Sequence, residues 1–276
     1  MAKKSKPKEP LSFTITGLLS PFMKTERAAA HLQELQALCG RFKANPYTIT
    51  EHDDFERSLH IVTIHLRDMN ALVPLLIGEW AHSLRSSLDH LVWQLQLLSG
   101  REPSRSSGFP IHTSESREDR ERFMRQTWSA PCEAIEIIKA LQPYQRGNAF
   151  KTHPLWQLNK LANLDKHVTV GYAGTRVQSR PIMFRGAPSP ACVIDKDTHE
   201  VRYLIPLVHK ADVKIEPLPP ILEFGRPIDA AGTPFRLQEA DIAEIQRFVR
   251  FDVLPRFKHF FSITPAHPDL PDDLRA

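Results

Sequence analysis

Residues 74–98 constrain the fold more than any other stretch, because their apolar side chains keep one helical phase throughout. With Glu79 set at zero and about 100° per residue, Ile77, Trp80, Leu84, Leu88, Leu91, Leu95 and Leu98 fall between about 100° and 180° on the wheel. A stripe of this kind belongs to a helix with one face in a core. Ser99-Gly100 closes it, glycine being the usual residue just past a helix end. So long a helix cannot cover its own apolar face, so the rest of the chain must supply elements that pack on it.

The elements on either side are legible from punctuation and period. Ser20-Pro21 predicts a helix start and Cys39-Gly40 its stop, with Ala29, Leu32, Leu35 and Leu38 at helical spacing between them. Two β-prone runs, Tyr47 to Thr50 and Leu59 to Leu66, predict a hairpin. Shorter helices are expected at about 115–128 and 131–141, and Pro154 opens another that runs to about Asp165. Near His167 the hydrophobic period changes from about 3.6 to 2. Val168 to Phe224 then reads as short strands, with Asp195-Lys196-Asp197-Thr198 as a turn between Ala191–Ile194 and Val201–Leu207. A final amphipathic helix, from about Leu237 to Leu254, is expected to stop before Pro255.

Segregated helices and strands predict an α+β fold rather than a doubly wound parallel sheet. The expected architecture is a bundle-like helical core over about 70–165, an N-terminal hairpin, an antiparallel β-rich region over about 168–225 and a closing helix. One domain is expected over 11–263. The basic tail 1–10 and the Pro-rich tail 264–276 are expected to be disordered.

Charge and cysteine content exclude several function classes. The net charge of +4 is mostly local, since Lys3, Lys4, Lys6 and Lys8 against Glu9 supply +3 of it. What remains leaves no global electrostatic footprint for nucleic acid. Cys39, Cys132 and Cys192 are odd in number and widely spaced, which fits reduced thiols in a cytoplasmic protein better than a disulfide scaffold or a zinc ribbon. No signal peptide is visible, and the longest apolar run, Ala71 to Ile77, is far too short for a bilayer, so no membrane association is expected. The GxSxG, GxGxxG and GxxxxGK[ST] patterns are absent, and no cysteine has an activating context.

The chemistry that remains lies opposite the core stripe of the long helix. Arg85, Asp89, His82, Ser86, Glu79, His90 and Ser83 occupy an arc from about 240° through zero to 40°. Leu75, Trp93 and Leu97 share that arc, just before and just after the polar group. Polar residues ringed by apolar ones predict a second packing surface with a buried network, where each member needs a partner. Asp165, in the middle of the apolar stripe of the helix that Pro154 opens, is the expected carboxylate for Arg85, with Lys166 and His167 beside it.

The segment Gly78-Glu79-Trp80-Ala81-His82-Ser83-Leu84-Arg85-Ser86-Ser87-Leu88-Asp89-His90-Leu91 resembles the signature of a group of uncharacterised bacterial proteins. Phe109-Pro110-Ile111, Gln142-Pro143-Tyr144 and Asp165-Lys166-His167 are similar to that group as well, so the resemblance spans about residues 75–170. It implies no activity. Arg85, four residues and His90 also resemble the motif of HEPN-type helical ribonucleases. That resemblance implies metal-independent cleavage of RNA, often at a site completed across a homodimer. His90 would move a proton and Arg85 would steady charge on the phosphate, with Asp89 between them. Glu79, His82, Ser86, Asp165, Lys166 and His167 would line the binding surface. No cofactor or metal is expected.

Two other readings stay open. The same polar group could be a non-catalytic pocket for a small molecule or a partner. Alternatively His82, Asp89 or His90, Asp165 and His167 could ligate a metal, although no HExxH or ExxH spacing accompanies them.

Overall fold

The computed structural model describes residues 17–167, 172–176, 182–183, 191–195, 200–212, 216–217, 220–226 and 235–261. The protein is α+β, as the change of period predicts. Contacts divide it into two compact units, one of residues 27–85 and 154–246, the other of residues 1–26, 86–153 and 247–276. Helices α1 (Leu19–Ala44) and α2 (Leu72–Leu98) are each continuous across that division.

The unit of residues 27–85 and 154–246 carries the strands. Its hairpin pairs β1 (Tyr47–Asp54) with β2 (Leu59–Leu66), and the first strand runs to Asp54 rather than ending at Thr50. The charged residues past Thr50 stay in the ladder because Glu51 and Asp53, in register with Val62 and His60, both reach the His60 ring. At the turn, Ser58 has a φ of 53° and the Arg57 N–H donates to Asp54 Oδ1 at 3.0 Å.

Strands β3 (Tyr172–Arg176), β4 (Ile182–Met183), β5 (Ala191–Asp195), β6 (Glu200–Pro206), β7 (Glu216–Pro217), β8 (Ile221–Arg226) and β9 (Phe235–Leu237) follow. They complete antiparallel sheets of order β1-β2-β6-β5 and β3-β8-β9, with a short β4-β7 ladder. The two-residue period places Tyr47, Val62, Ile64, Tyr203 and Ile205 in one buried cluster. Gly225, with φ of 135°, must be glycine, since a Cβ there would stand 2.3 Å from the Phe235 carbonyl oxygen. The expected turn residues after Asp195 lie outside the described residues.

The sequence expectation for α1 ends too early. The helix passes through Gly40 to Ala44, where nothing crowds the glycine, and Lys43 in its last turn pairs with Glu239. Pro46 is the real stop, because it offers no N–H to continue the ladder. Leu237 is likewise buried in β9 rather than in the closing helix, which begins as α6 (Glu239–Arg247). A further helix, α5 (Pro154–His167), packs on β8, and the Trp156 ring meets Phe235 edge-on at 5.6 Å. In α2, Trp80 is fully buried and its indole N–H donates to Gln246 Oε1 at 2.9 Å.

The unit of residues 1–26, 86–153 and 247–276 is helical among its described residues. The second half of α2 buries Leu88, Leu91, Val92 and Leu95; Leu98, at the edge of the stripe and on the last turn, is 50% exposed instead of buried. Helices α3 (Arg117–Gln126) and α4 (Cys132–Ala140) follow, then a 3-10 segment, Pro143–Thr152. Ser116 caps α3 by accepting from the Asp119 N–H at 3.1 Å. The closing helix does not stop before Pro255. It widens to π geometry at Phe248–Val253 and tightens to 3-10 at Leu254–Phe260. Pro255 sits in the first turn of that last segment, where a missing N–H costs little, so the buried series Val249, Val253, Leu254 and Phe257 continues past it. No helix among the described residues is long and apolar enough to cross a membrane.

Candidate functional site

Among the described residues, members of the polar arc of α2 reach other elements at several points. In the strand-bearing unit, exposed Glu79 faces the His31 Nδ1 of α1 at 3.4 Å. His82 is exposed and Arg85 half-buried. The side chains of Asp165, Lys166 and His167 lie outside the described residues, and with them the expected Arg85–Asp165 pair. Because α2 is unbroken, Arg85 and His90 leave its axis about 140° apart.

In the helical unit the remaining members meet the start of α1 and the loop before α3. Ser86 is half-buried, and buried Ser87 donates to the Pro21 carbonyl at 2.7 Å. Asp89 accepts from the Phe109 N–H at 2.9 Å, and the loop passes so close that a Cβ on Gly108 would lie 3.0 Å from the carboxylate. His90 Nδ1 lies 2.6 Å from Ser20 Oγ in the first turn of α1. Burial lowers the His90 pKa below its ordinary value; the nearby Lys24 charge lowers it further, and Asp89 opposes the change in part. The ring is therefore neutral at pH 7 and half-exposed. In the tautomer whose Nδ1–H donates to Ser20 Oγ, the Nε2 lone pair is left for another proton, and no group among the described residues hydrogen-bonds that nitrogen.

Phe109-Pro110-Ile111 and Gln142 are joined to this scaffold. Fully buried Gln142 accepts from the His112 N–H at 2.9 Å and donates to the Pro110 carbonyl at 2.8 Å and the Ile138 carbonyl at 3.1 Å. The Phe109-Pro110-Ile111 loop is thus held at one end by Asp89 and at the other by Gln142.

Two features escaped the sequence reading. Ser20 is legible in the sequence only as part of a helix start, since nothing local shows that His90, seventy residues on, returns to it. His60 is buried, with Asp53 Oδ1 at 2.6 Å and Glu51 Oε2 at 3.2 Å, and Lys210 binds Asp53 at 2.7 Å. Hydrogen bonds from Lys210 and then His60 hold the Asp53 carboxyl below its usual range. His65 is exposed, so the two histidines of β2 face opposite ways, as five residues along a strand require. Among the described residues no three His, Cys, Asp or Glu side chains converge as a metal site. Buried Cys39 is pushed up to about 11, chiefly by burial, and has no nucleophilic character. Comparison with protein-family models, with curated proteins and with solved structures finds no match for this chain.

Proposed function

We propose that the protein cleaves single-stranded RNA without a metal ion, with His90 as the general base. The observation that carries this reading is the His90–Ser20 contact on a ring kept neutral by burial and Lys24. A neutral imidazole can take the proton of a ribose 2′-hydroxyl, whose oxygen then attacks the adjacent phosphorus. The P–O5′ bond breaks and the 5′-oxygen takes a proton from water while His90 releases its own to solvent, so the products are a 2′,3′-cyclic phosphate and a 5′-hydroxyl. Lys24 supplies positive charge beside His90 for the phosphorane. Arg85 belongs to the same motif but diverges from His90 along α2, so its part in the reaction requires a homodimer in which a second copy supplies the guanidinium.

The test is cleavage of a short single-stranded RNA in EDTA. His90→Ala is expected to abolish it and Lys24→Ala to slow it by about 10- to 1000-fold. Arg85→Ala is expected to be inactive only if the active species is a dimer, which light scattering on the same samples shows. Activity that needs Mn²⁺ or Zn²⁺ would overturn the reading.

A second reading has its own observation. Glu79, Ser87 and Asp89 are each engaged in a tie to another element, as expected of a scaffold that binds a partner or small molecule without catalysis. RNA left intact by purified wild type would favour it.

A further inference from the structure

The corner between α3 and α4 holds a groove of about 470 Å³ that none of the chemistry above uses. Its apolar surface comes from Met124, Trp128 and Ile135, and two of these are unusually open: Met124 is 55% and Trp128 52% exposed. Its polar contributors are Ser104, Ser106, Arg125, Thr127 and Ser129. The walls are preformed. Ser104 and Ser106 are locked to each other at 2.8 Å, the Gly108 N–H donates to the Gln126 carbonyl, and buried Gln96 donates to the same carbonyl at 3.0 Å.

Three details say what kind of occupant this groove suits. The Arg101 guanidinium lies 5.2 Å from the centre of the Trp128 ring, so a flat group already stacks on that indole. Ser129 has a φ of 66°, a strained conformation for a residue with a Cβ, and its buried hydroxyl has no hydrogen-bond partner among the described residues. Strain held at a groove that also contains an unmatched polar atom is an arrangement found at ligand sites. Arg101 and Arg105 flank the Ser104–Ser106 side of the groove together with Glu102, and Arg125 lines it from the last turn of α3, whose acidic residues Glu118, Asp119 and Glu121 lie in the first half of that helix. The nearest carboxylates of α4, Glu133 and Glu136, are paired with His259 and Lys139.

We infer that this groove takes a nucleotide of single-stranded RNA, with the base stacked on Trp128, its edge on the Ser129 hydroxyl and its phosphate on Arg125 and Arg101. An aromatic platform beside arginines is the arrangement by which single strands are held with little sequence preference. The choice of RNA as ligand rests on the reading of His90 given above, but the groove is tested apart from cleavage.

The experiment is fluorescence anisotropy of a labelled short single-stranded RNA, in EDTA, with the full chain carrying His90→Ala so that the strand stays whole. Trp128→Ala is expected to weaken binding by about 5- to 150-fold, and Trp128→Phe to restore most of it. Ser129→Gly removes the hydroxyl and relieves the φ, so affinity should fall while the melting temperature holds or rises. An abasic strand of the same length should bind wild-type groove and Trp128→Ala equally weakly. Binding within about twofold of the parent in Trp128→Ala, or an abasic strand that binds as tightly as RNA, overturns the proposal, because phosphate charge alone would then account for affinity. Trp128-dependent binding without any cleavage by wild type would keep the groove and discard the ribonuclease; cleavage that is indifferent to Trp128 would do the reverse.

Discussion

Two residues show how burial decides what a polar side chain does here. His153 is buried against the edge of Phe248 at 5.3 Å, and burial lowers its pKa from 6.5 to about 4, with Arg146 adding to the effect. The folded chain therefore keeps the ring neutral in a range where the unfolded chain protonates it. His153 contributes nothing unfavourable above pH 6.5, and its neutral state costs stability progressively as pH falls from 6.5 towards 4. Urea melts should show wild type losing up to about 3 kcal/mol more than His153→Gln over that window. Parallel pH profiles for the two proteins would show that His153 titrates normally. Asp89 makes the opposite point. The sequence marks it as part of a catalytic group, yet its carboxylate satisfies the buried Phe109 N–H. Asp89→Ala should cost about 1–3 kcal/mol in a urea melt, and Asp89→Asn, which keeps an acceptor, much less. Equal losses would mean that charge, not the hydrogen bond, is what the site uses.

At the scale of elements, the sequence reads well where the apolar period is long and poorly where a distant partner decides. The phase of residues 74–98 was enough to place Trp80, Leu84, Leu88, Leu91 and Leu95 in the core, all of them fully buried. Its polar arc was equally visible, but which residue met which was not, because Ser20, His31 and Phe109 arrive from other elements. The end of β1 was missed because Glu51 and Asp53 look like loop residues until His60 is opposite them. The end of the closing helical stretch is not legible because a proline usually stops a helix, whereas here Pro255 falls in the first turn of a 3-10 segment that follows a π turn. The clearest element-scale test is Gln142, which joins the end of α4 to the 109–112 loop through three hydrogen bonds. Gln142→Ala should cost about 2–4 kcal/mol, and Gln145→Ala, whose hydrogen bond to the Lys139 carbonyl is exposed, under about 0.5. Similar small losses for both would show that the loop is not anchored there.

Across the whole molecule, the change of hydrophobic period near His167 correctly separates helical from strand-rich sequence, since alternation is what a half-buried antiparallel strand requires. The two units that contacts define were not legible, because α1 and α2 run through the division without a break in phase. Function is the least legible level. An Arg-x4-His spacing names residues without saying whether they converge, and α2 holds Arg85 and His90 about 140° apart. The central claim is that His90 acts as a neutral base with a lowered pKa, and one measurement tests it most directly. That measurement is the rate of single-stranded RNA cleavage in EDTA from pH 5 to 8, wild type against His90→Ala. Expected is a wild-type rate whose midpoint lies below pH 6.5, with products ending in a 2′,3′-cyclic phosphate and no cleavage by the variant. A wild-type midpoint at or above pH 6.5, cleavage that persists in His90→Ala, or no cleavage at all would contradict it.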